Sequence, residues 1–225
     1  MKWAFYFYVL SSYTVVIPLV RGLYLRKALS KDLRLFLTYL VVTLLFITVI
    51  VILSSRGIND LWIENCYLPI ELGLVLWVLS LWQETALGAK LIRYTILGFV
   101  VVWLLELSTG KLFHDYSEFA RPLESVLFVV AAALTIYEKH FDSEVLLTDQ
   151  PSFWICSGIL VYYTPTLLVY VFSRVLAGEA REVLISATLA STLFTIASNI
   201  LYAKAYSCPS QPTKYGGHLG SPQVS

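Results

Sequence analysis

The sequence predicts an all-α membrane protein: a bundle of seven transmembrane helices with the amino terminus outside and the carboxyl terminus cytoplasmic. Three observations carry that prediction. Long apolar stretches alternate with short polar breaks along 225 residues, 58% of residues are hydrophobic against 14% charged, and Lys and Arg are divided unevenly between the two sets of breaks. A soluble domain is about half apolar and about a quarter charged, and its core could not absorb this much apolar surface. A hydrocarbon layer roughly 30 Å thick asks for about 20 apolar residues per spanning helix, so seven helices use nearly the whole chain. The runs are continuously apolar instead of alternating with period two, which argues against a β-barrel and leaves helices to satisfy the backbone in lipid.

The first helix is read over Trp3 to Val20. Lys2 before an apolar run imitates a signal peptide, but the run is rich in Trp and Tyr. It also has no small-x-small cleavage site before Arg21, so it is read as a retained helix. The second to seventh helices are read over Leu35 to Ser54, Leu61 to Trp82, Leu91 to Leu107, Glu118 to Tyr137, Phe153 to Leu176 and Val183 to Tyr206. Amphipathic rings sit at the ends of these runs, at Trp3, Tyr6, Tyr8, Trp62, Trp82, Trp154, Tyr202 and Tyr206, where interfacial anchors belong. The transmembrane domain therefore covers residues 1–206. Residues 207–225 are rich in Pro, Gly, Ser and Gln with little to bury, and are expected to form a disordered cytoplasmic tail.

Cytoplasmic loops retain the excess of Lys and Arg. Arg21, Arg26, Lys27, Lys31, Arg34, Lys90, Arg93, Lys139, Lys204 and Lys214 fall on one side, ten in all. Lys2, Arg56, Lys111, Arg121, Arg174 and Arg181, six, fall on the other. This places the chain as a multi-pass protein of a cell membrane, a bacterial inner membrane, with the lipid bilayer as its first partner. The scattered basic residues form no stripe for nucleic acid. Cys66, Cys156 and Cys208 lie in separate segments without metal or disulfide spacing. His114, His140 and His218 fall in two loops and the tail, and no phosphate loop or HExxH occurs. No cofactor, metal site or catalytic residue is assigned, and enzymatic activity is the least supported class. Opsin chemistry is disfavoured because Lys204 lies at the inner end of the seventh helix.

An ionisable group at membrane depth costs several kcal/mol unless paired or hydrated, and so marks a functional site by default. Asp60, Glu64, Glu71, Glu106, Asp115, Glu118, Glu124, Glu179 and Glu182 all belong to the outer half, nine of the fifteen acids. The third and fifth helices share Pro69 with Glu71 and Pro122 with Glu124. From Pro69 to Trp82 is too short to cross the hydrocarbon, about 21 Å at 1.5 Å per residue, so the helix must continue outward past the proline. Each proline would then free the carbonyl four residues earlier, at Asn65 and Glu118. Helical spacing aligns Glu64, Tyr67 and Glu71 on one face, and Glu118, Arg121 and Ser125 on another. Arg121 is within pairing distance of Glu118 or Glu124.

The candidate ligand-binding residues are thus Glu64, Asn65, Tyr67, Glu71, Glu106, Arg121 and Glu124, in an outward polar pocket for a cation, a proton or a small polar ligand. The competing reading is an ion-pair cluster that locks the third, fourth and fifth helices. On the seventh helix, Ala187, Ser191, Thr195 and Asn199 recur every fourth residue as a packing seam. Pro165 marks a bend in the sixth.

Three segments carry a resemblance: Pro151 to Tyr163, Tyr67-Leu-Pro-Ile-Glu71 and Ser198-Asn-Ile-Leu-Tyr202. They resemble a family of uncharacterised bacterial seven-helix integral membrane proteins. The layout is similar to the membrane modules of bacterial seven-helix sensors, which implies a sensing or signalling role exercised through a separate cytoplasmic or membrane partner. The alternatives are a small cation- or proton-coupled transporter or channel, and a structural subunit of a membrane complex. Helices three and five turn almost wholly apolar after Glu71 and Glu124, which favours a one-sided pocket over a conducting path.

Overall fold

A computed structural model describes residues 2–110, 117, 119–142, 146–175 and 181–208, without the side chains of 2–5, 141–142, 170–175 and 181–188. Among the described residues eight α-helices follow one another: α1 Lys2–Ser12, α2 Val16–Leu25, α3 Lys31–Ser55, α4 Leu61–Trp82, α5 Ala86–Ser108, α6 Ala120–Asp142, α7 Pro151–Val175 and α8 Arg181–Ala205. No strand occurs among the described residues. A 3₁₀ turn, Tyr13–Val15, joins α1 to α2 into one rod. Six rods are long and apolar enough to cross a membrane: Tyr6–Leu25, Lys31–Ser55, Leu61–Trp82, Ala86–Ser108, Ala120–His140 and Pro151–Val169. The expected seventh span corresponds to α8, whose first third of side chains lies outside the described residues, as do the tail beyond Cys208, His114 and His218.

Most expected spans are recovered to within a few residues, and two departures have identifiable causes. The first rod is not a plain helix. Pro18 has no N–H to give the carbonyl of Thr14 and its ring crowds that carbonyl, so the preceding residues tighten into the 3₁₀ turn. Ser11, Ser12 and Thr14 fold their hydroxyls back onto the carbonyls of Tyr8 and Ser11 there. The fifth span passes outward beyond Pro122 by only two described residues. Its helix begins at Ala120, which puts Pro122 in the first turn, where a missing N–H costs nothing. Glu118 lies outside the described residues, as do Asp115, Glu179 and the side chain of Glu182. Pro165, by contrast, sits inside an uninterrupted α7.

The helix ends are built from local chemistry. Thr85 Oγ1 accepts from the Gly88 amide and caps α5. Gly57, at φ +69°, closes α3: the Ile58 amide reaches the Leu53 carbonyl and the Gly57 amide that of Ser54, each at 3.0 Å, a left-handed termination that suits glycine.

The α1/α2 rod, α3, α4, α6, α7 and α8 form a closed ring, each packed on its neighbours, while α5 leans on α4 and α6 from outside. Only 6% of the α5 span is buried, so most of its apolar surface faces away from the other helices. At the Trp82 end of the ring, Phe36, Leu72, Val75, Leu76, Leu79, Phe128, Ile155 and Ile159 fill the axis. Gly158 lets α7 and α8 approach closely: a Cβ there would collide with the Tyr202 ring and meet the Ser198 carbonyl at 3.2 Å. Of the expected aromatic anchors, Tyr6 and Trp62 are exposed, whereas Trp82, Tyr202 and Tyr206 are buried. Trp82 faces inward because its indole N–H has a partner in Asp32, as buried indoles require.

Candidate functional site

Within the ring lies a half-open cavity of about 190 Å³. It is lined from α1 (Tyr8, Ser12), α3 (Tyr39, Thr43, Ile47), α4 (Glu64, Tyr67, Glu71), α6 (Arg121), α7 (Tyr162) and α8 (Thr195, Ser198, Asn199, Tyr202). Glu64, Tyr67 and Glu71 arrive together because they are three and four residues apart on one face of α4. Glu71 is the eleventh of the 22 residues of α4, at the middle of the helix.

Glu71 Oε1 accepts hydrogen bonds from two phenols on other helices, Tyr163 of α7 at 2.8 Å and Tyr39 of α3 at 3.0 Å. Neither tyrosine was among the sequence candidates. Beside them, Thr43 Oγ1 and the Tyr67 hydroxyl are 2.6 Å apart. The Thr43 proton goes to the Tyr39 carbonyl at 2.9 Å, which leaves Tyr67 as the donor between the two. Asn199 closes the opposite wall, donating from Nδ2 to Thr14 Oγ1 at 2.8 Å. The 3₁₀ turn thereby serves the site by bringing Thr14 up to α8.

At the Arg121 end the cavity carries an ion pair. Arg121 Nη2 lies 2.8 Å from Glu64 Oε2, with each side chain 18% exposed. This ion pair runs across to α4, because Glu64 is presented by the first turn of α4 at the same level; Glu118, one of the partners expected along the same helix, lies outside the described residues.

Three of the seven candidates do not line the cavity. Asn65, one residue on from Glu64, is rotated about 100° around the helix and is buried at 1% exposure. The carbonyl that Pro69 releases at Asn65 is not free for a ligand: the Trp103 indole of α5 donates to it at 2.9 Å. Glu106 is the cap of α6. Its carboxylate accepts from the amides of Phe119 and Ala120 and from the Ser117 hydroxyl, the last at 2.7 Å, so it satisfies donors that a helix start leaves open. Glu124 is buried at 4% exposure, within Coulombic reach of Glu71 and Arg121, and no described residue hydrogen-bonds its Oε1. Glu106 and Trp103 thus tie α5 to its neighbours by hydrogen bonds, while Glu64, Tyr67, Glu71 and Arg121 face the cavity.

The α8 stripe has the same double character. Thr195 and Asn199 line the cavity and Thr195 also bonds back to the Ser191 carbonyl, whereas the side chain of Ala187 lies outside the described residues. Below Asn199 the stripe is stopped by Tyr202, buried and edge-on to Phe36 at 5.1 Å between ring centroids. Among the described residues no group of three or more His, Cys, Asp or Glu is placed to hold a metal. Cys66, Cys156 and Cys208 are unpaired thiols.

No protein-family model, curated protein sequence or solved structure matches this chain.

Proposed function

We propose that the chain is an integral membrane binding module of the sensing type, which admits a small polar or cationic ligand from the outer face and passes the event to a separate partner. The observation that carries this reading is Glu71: a carboxylate at the middle of α4, reached through a cavity and fixed by Tyr39 and Tyr163. A buried carboxylate is expensive to maintain, and a purely structural role is served as well by apolar packing. Because the cavity walls come from six helices, a ligand at Glu71 contacts rods whose other ends meet the basic segment from Arg21 to Arg34. Small shifts of packed helices are a common switching device.

A conducting role is second. Thr195, Ser198 and Asn199 would favour it, but Leu72, Val75, Leu76 and Leu79 with Phe36 and Phe128 fill the axis beyond Glu71, without groups to replace an ion's hydration. The amino-terminus-out orientation, with Glu64 and Arg121 at the outer mouth, belongs to the same proposal.

The test is reaction of single-cysteine variants with an impermeant thiol reagent in intact cells, in a background lacking the native cysteines. Thr43→Cys and Ser198→Cys should react from outside and Leu76→Cys should not. Labelling of Leu76→Cys as fast as Thr43→Cys would remove the one-sided pocket.

A further inference from the structure

The lining of the cavity is specific in its chemistry. Five tyrosines face it, Tyr8, Tyr39, Tyr67, Tyr162 and Tyr202, with two carboxylates and one guanidinium. That guanidinium hydrogen-bonds Glu64, and among the described residues no cation forms an ion pair with the remaining carboxylate, Glu71. Its two neighbours are phenols.

Each alternative ligand class meets an obstacle. An anion would face Glu71 and Glu64. A neutral solute would leave Glu71 only the more distant charge of Arg121, which is already paired with Glu64, in a low-dielectric interior. A bare metal ion needs several oxygen ligands to replace its water, but the hydroxyls of Tyr39 and Tyr67 are committed to Glu71 and Thr43. A positively charged group carried on carbon suits both features, because aromatic rings attract an organic cation and a carboxylate neutralises it. The cavity, about 190 Å³, falls below the roughly 300–1,000 Å³ of drug-sized sites, which limits the ligand to a few carbons.

We infer that the cavity takes a small organic ammonium ion, a protonated or methylated amine whose nitrogen sits against Glu71 among the rings of Tyr39, Tyr67, Tyr162 and Tyr202. This rests on the cavity being a binding site, as proposed above, and adds the class of ligand.

The test is calorimetric titration of the full chain in lipid nanodiscs with methylammonium, tetramethylammonium and choline, against dimethylbutanol, the uncharged carbon analogue of choline, and against acetate and potassium. At least one ammonium probe should bind. Choline should bind roughly tenfold or more tighter than its uncharged analogue, the difference a desolvated cation gains from aromatic rings and a counter-charge. Glu71→Gln should abolish that preference, and Tyr67→Leu should weaken ammonium binding more than Tyr67→Phe. The choline comparison is made on the unaltered protein, so it stands even if a variant fails to fold. Equal binding of choline and its analogue, or no binding by any ammonium probe, overturns the inference. If acetate or the uncharged alcohol binds instead and Thr43→Cys reacts from outside, the pocket survives and only the ligand class falls. If no probe binds and Thr43→Cys is inert, both fall together.

Discussion

Trp103 and Pro69 form a pair whose interaction energy can be isolated. Pro69 has no N–H for the Asn65 carbonyl, and the Trp103 indole supplies the missing donor from α5 at 2.9 Å. Replacing Trp103 with Phe keeps a ring in the half-buried site but leaves that carbonyl without a donor. An orphaned buried polar group costs about 1–3 kcal/mol, while interhelical hydrogen bonds in membranes average nearer 0.6 kcal/mol, so the expected loss is about 1–2 kcal/mol. In a Pro69→Ala background the backbone N–H of residue 69 returns to the same carbonyl, and Trp103→Phe should then cost only the change in packing. The packing cost is common to both backgrounds and cancels, which leaves a coupling of about 1 kcal/mol for residues in direct contact. Unfolding in mixed micelles of rising dodecyl sulfate content, followed by circular dichroism for the four proteins of the cycle, measures it. Equal losses in the two backgrounds would show that Trp103 does not replace the amide that Pro69 lacks.

Glu106→Ala should destabilise the fold by about 1–2 kcal/mol, the scale of a lost helix cap, and leave choline binding unchanged, since Glu106 caps α6 and does not line the cavity; a binding defect at full stability would return it to the site. Gly158→Ala should cost about 1–3 kcal/mol through overpacking against Tyr202, and combining it with Tyr202→Leu should recover part of that loss in the same unfolding assay. In a cysteine-labelling scan, positions between Ser108 and Ser117 should react from outside and the tail near Ser210 should be protected; labelling of the tail would invert the orientation. Purified protein in liposomes should pass neither protons nor alkali cations, because the axis beyond Glu71 is packed with Leu and Phe; flux that disappears in Glu71→Gln would bring the transporter reading forward.

Hydropathy located the helices well because each apolar run carries its own evidence, and α4 was placed residue for residue at Leu61–Trp82. The same locality found Glu64, Tyr67 and Glu71, which share a face of one helix. It could not find Tyr39, Thr43 or Tyr163, since which helix faces which is a property of the packed ring and no single run encodes it. A signal was present: Tyr39 and Thr43 are polar groups four residues apart, on one face of a stretch whose other polar residues short of Ser54 are Thr38 and Thr48. Pro18 was equally visible, and its effect on the first rod follows from the missing amide alone. Asn65 and Glu106 carry the same signal yet do not line the cavity, because ionisable or polar character within an apolar run does not distinguish a side chain that serves a ligand from one that serves a backbone.

The position of Glu71 also bears on biogenesis. Membrane helices enter lipid first and associate afterwards, and a growing chain delivers them in order. Tyr39 on α3 precedes Glu71 and is available as soon as the α3–α4 hairpin forms, but Tyr163 is made some 90 residues later, on α7. Until α7 docks, the carboxylate has half of its phenolic support and the cavity lacks a wall. Nascent chains that stop short of Pro151 should therefore hold α4 loosely and present Glu71 to quality-control proteases that recognise polar groups in the bilayer, whereas chains extending past α7 should escape them.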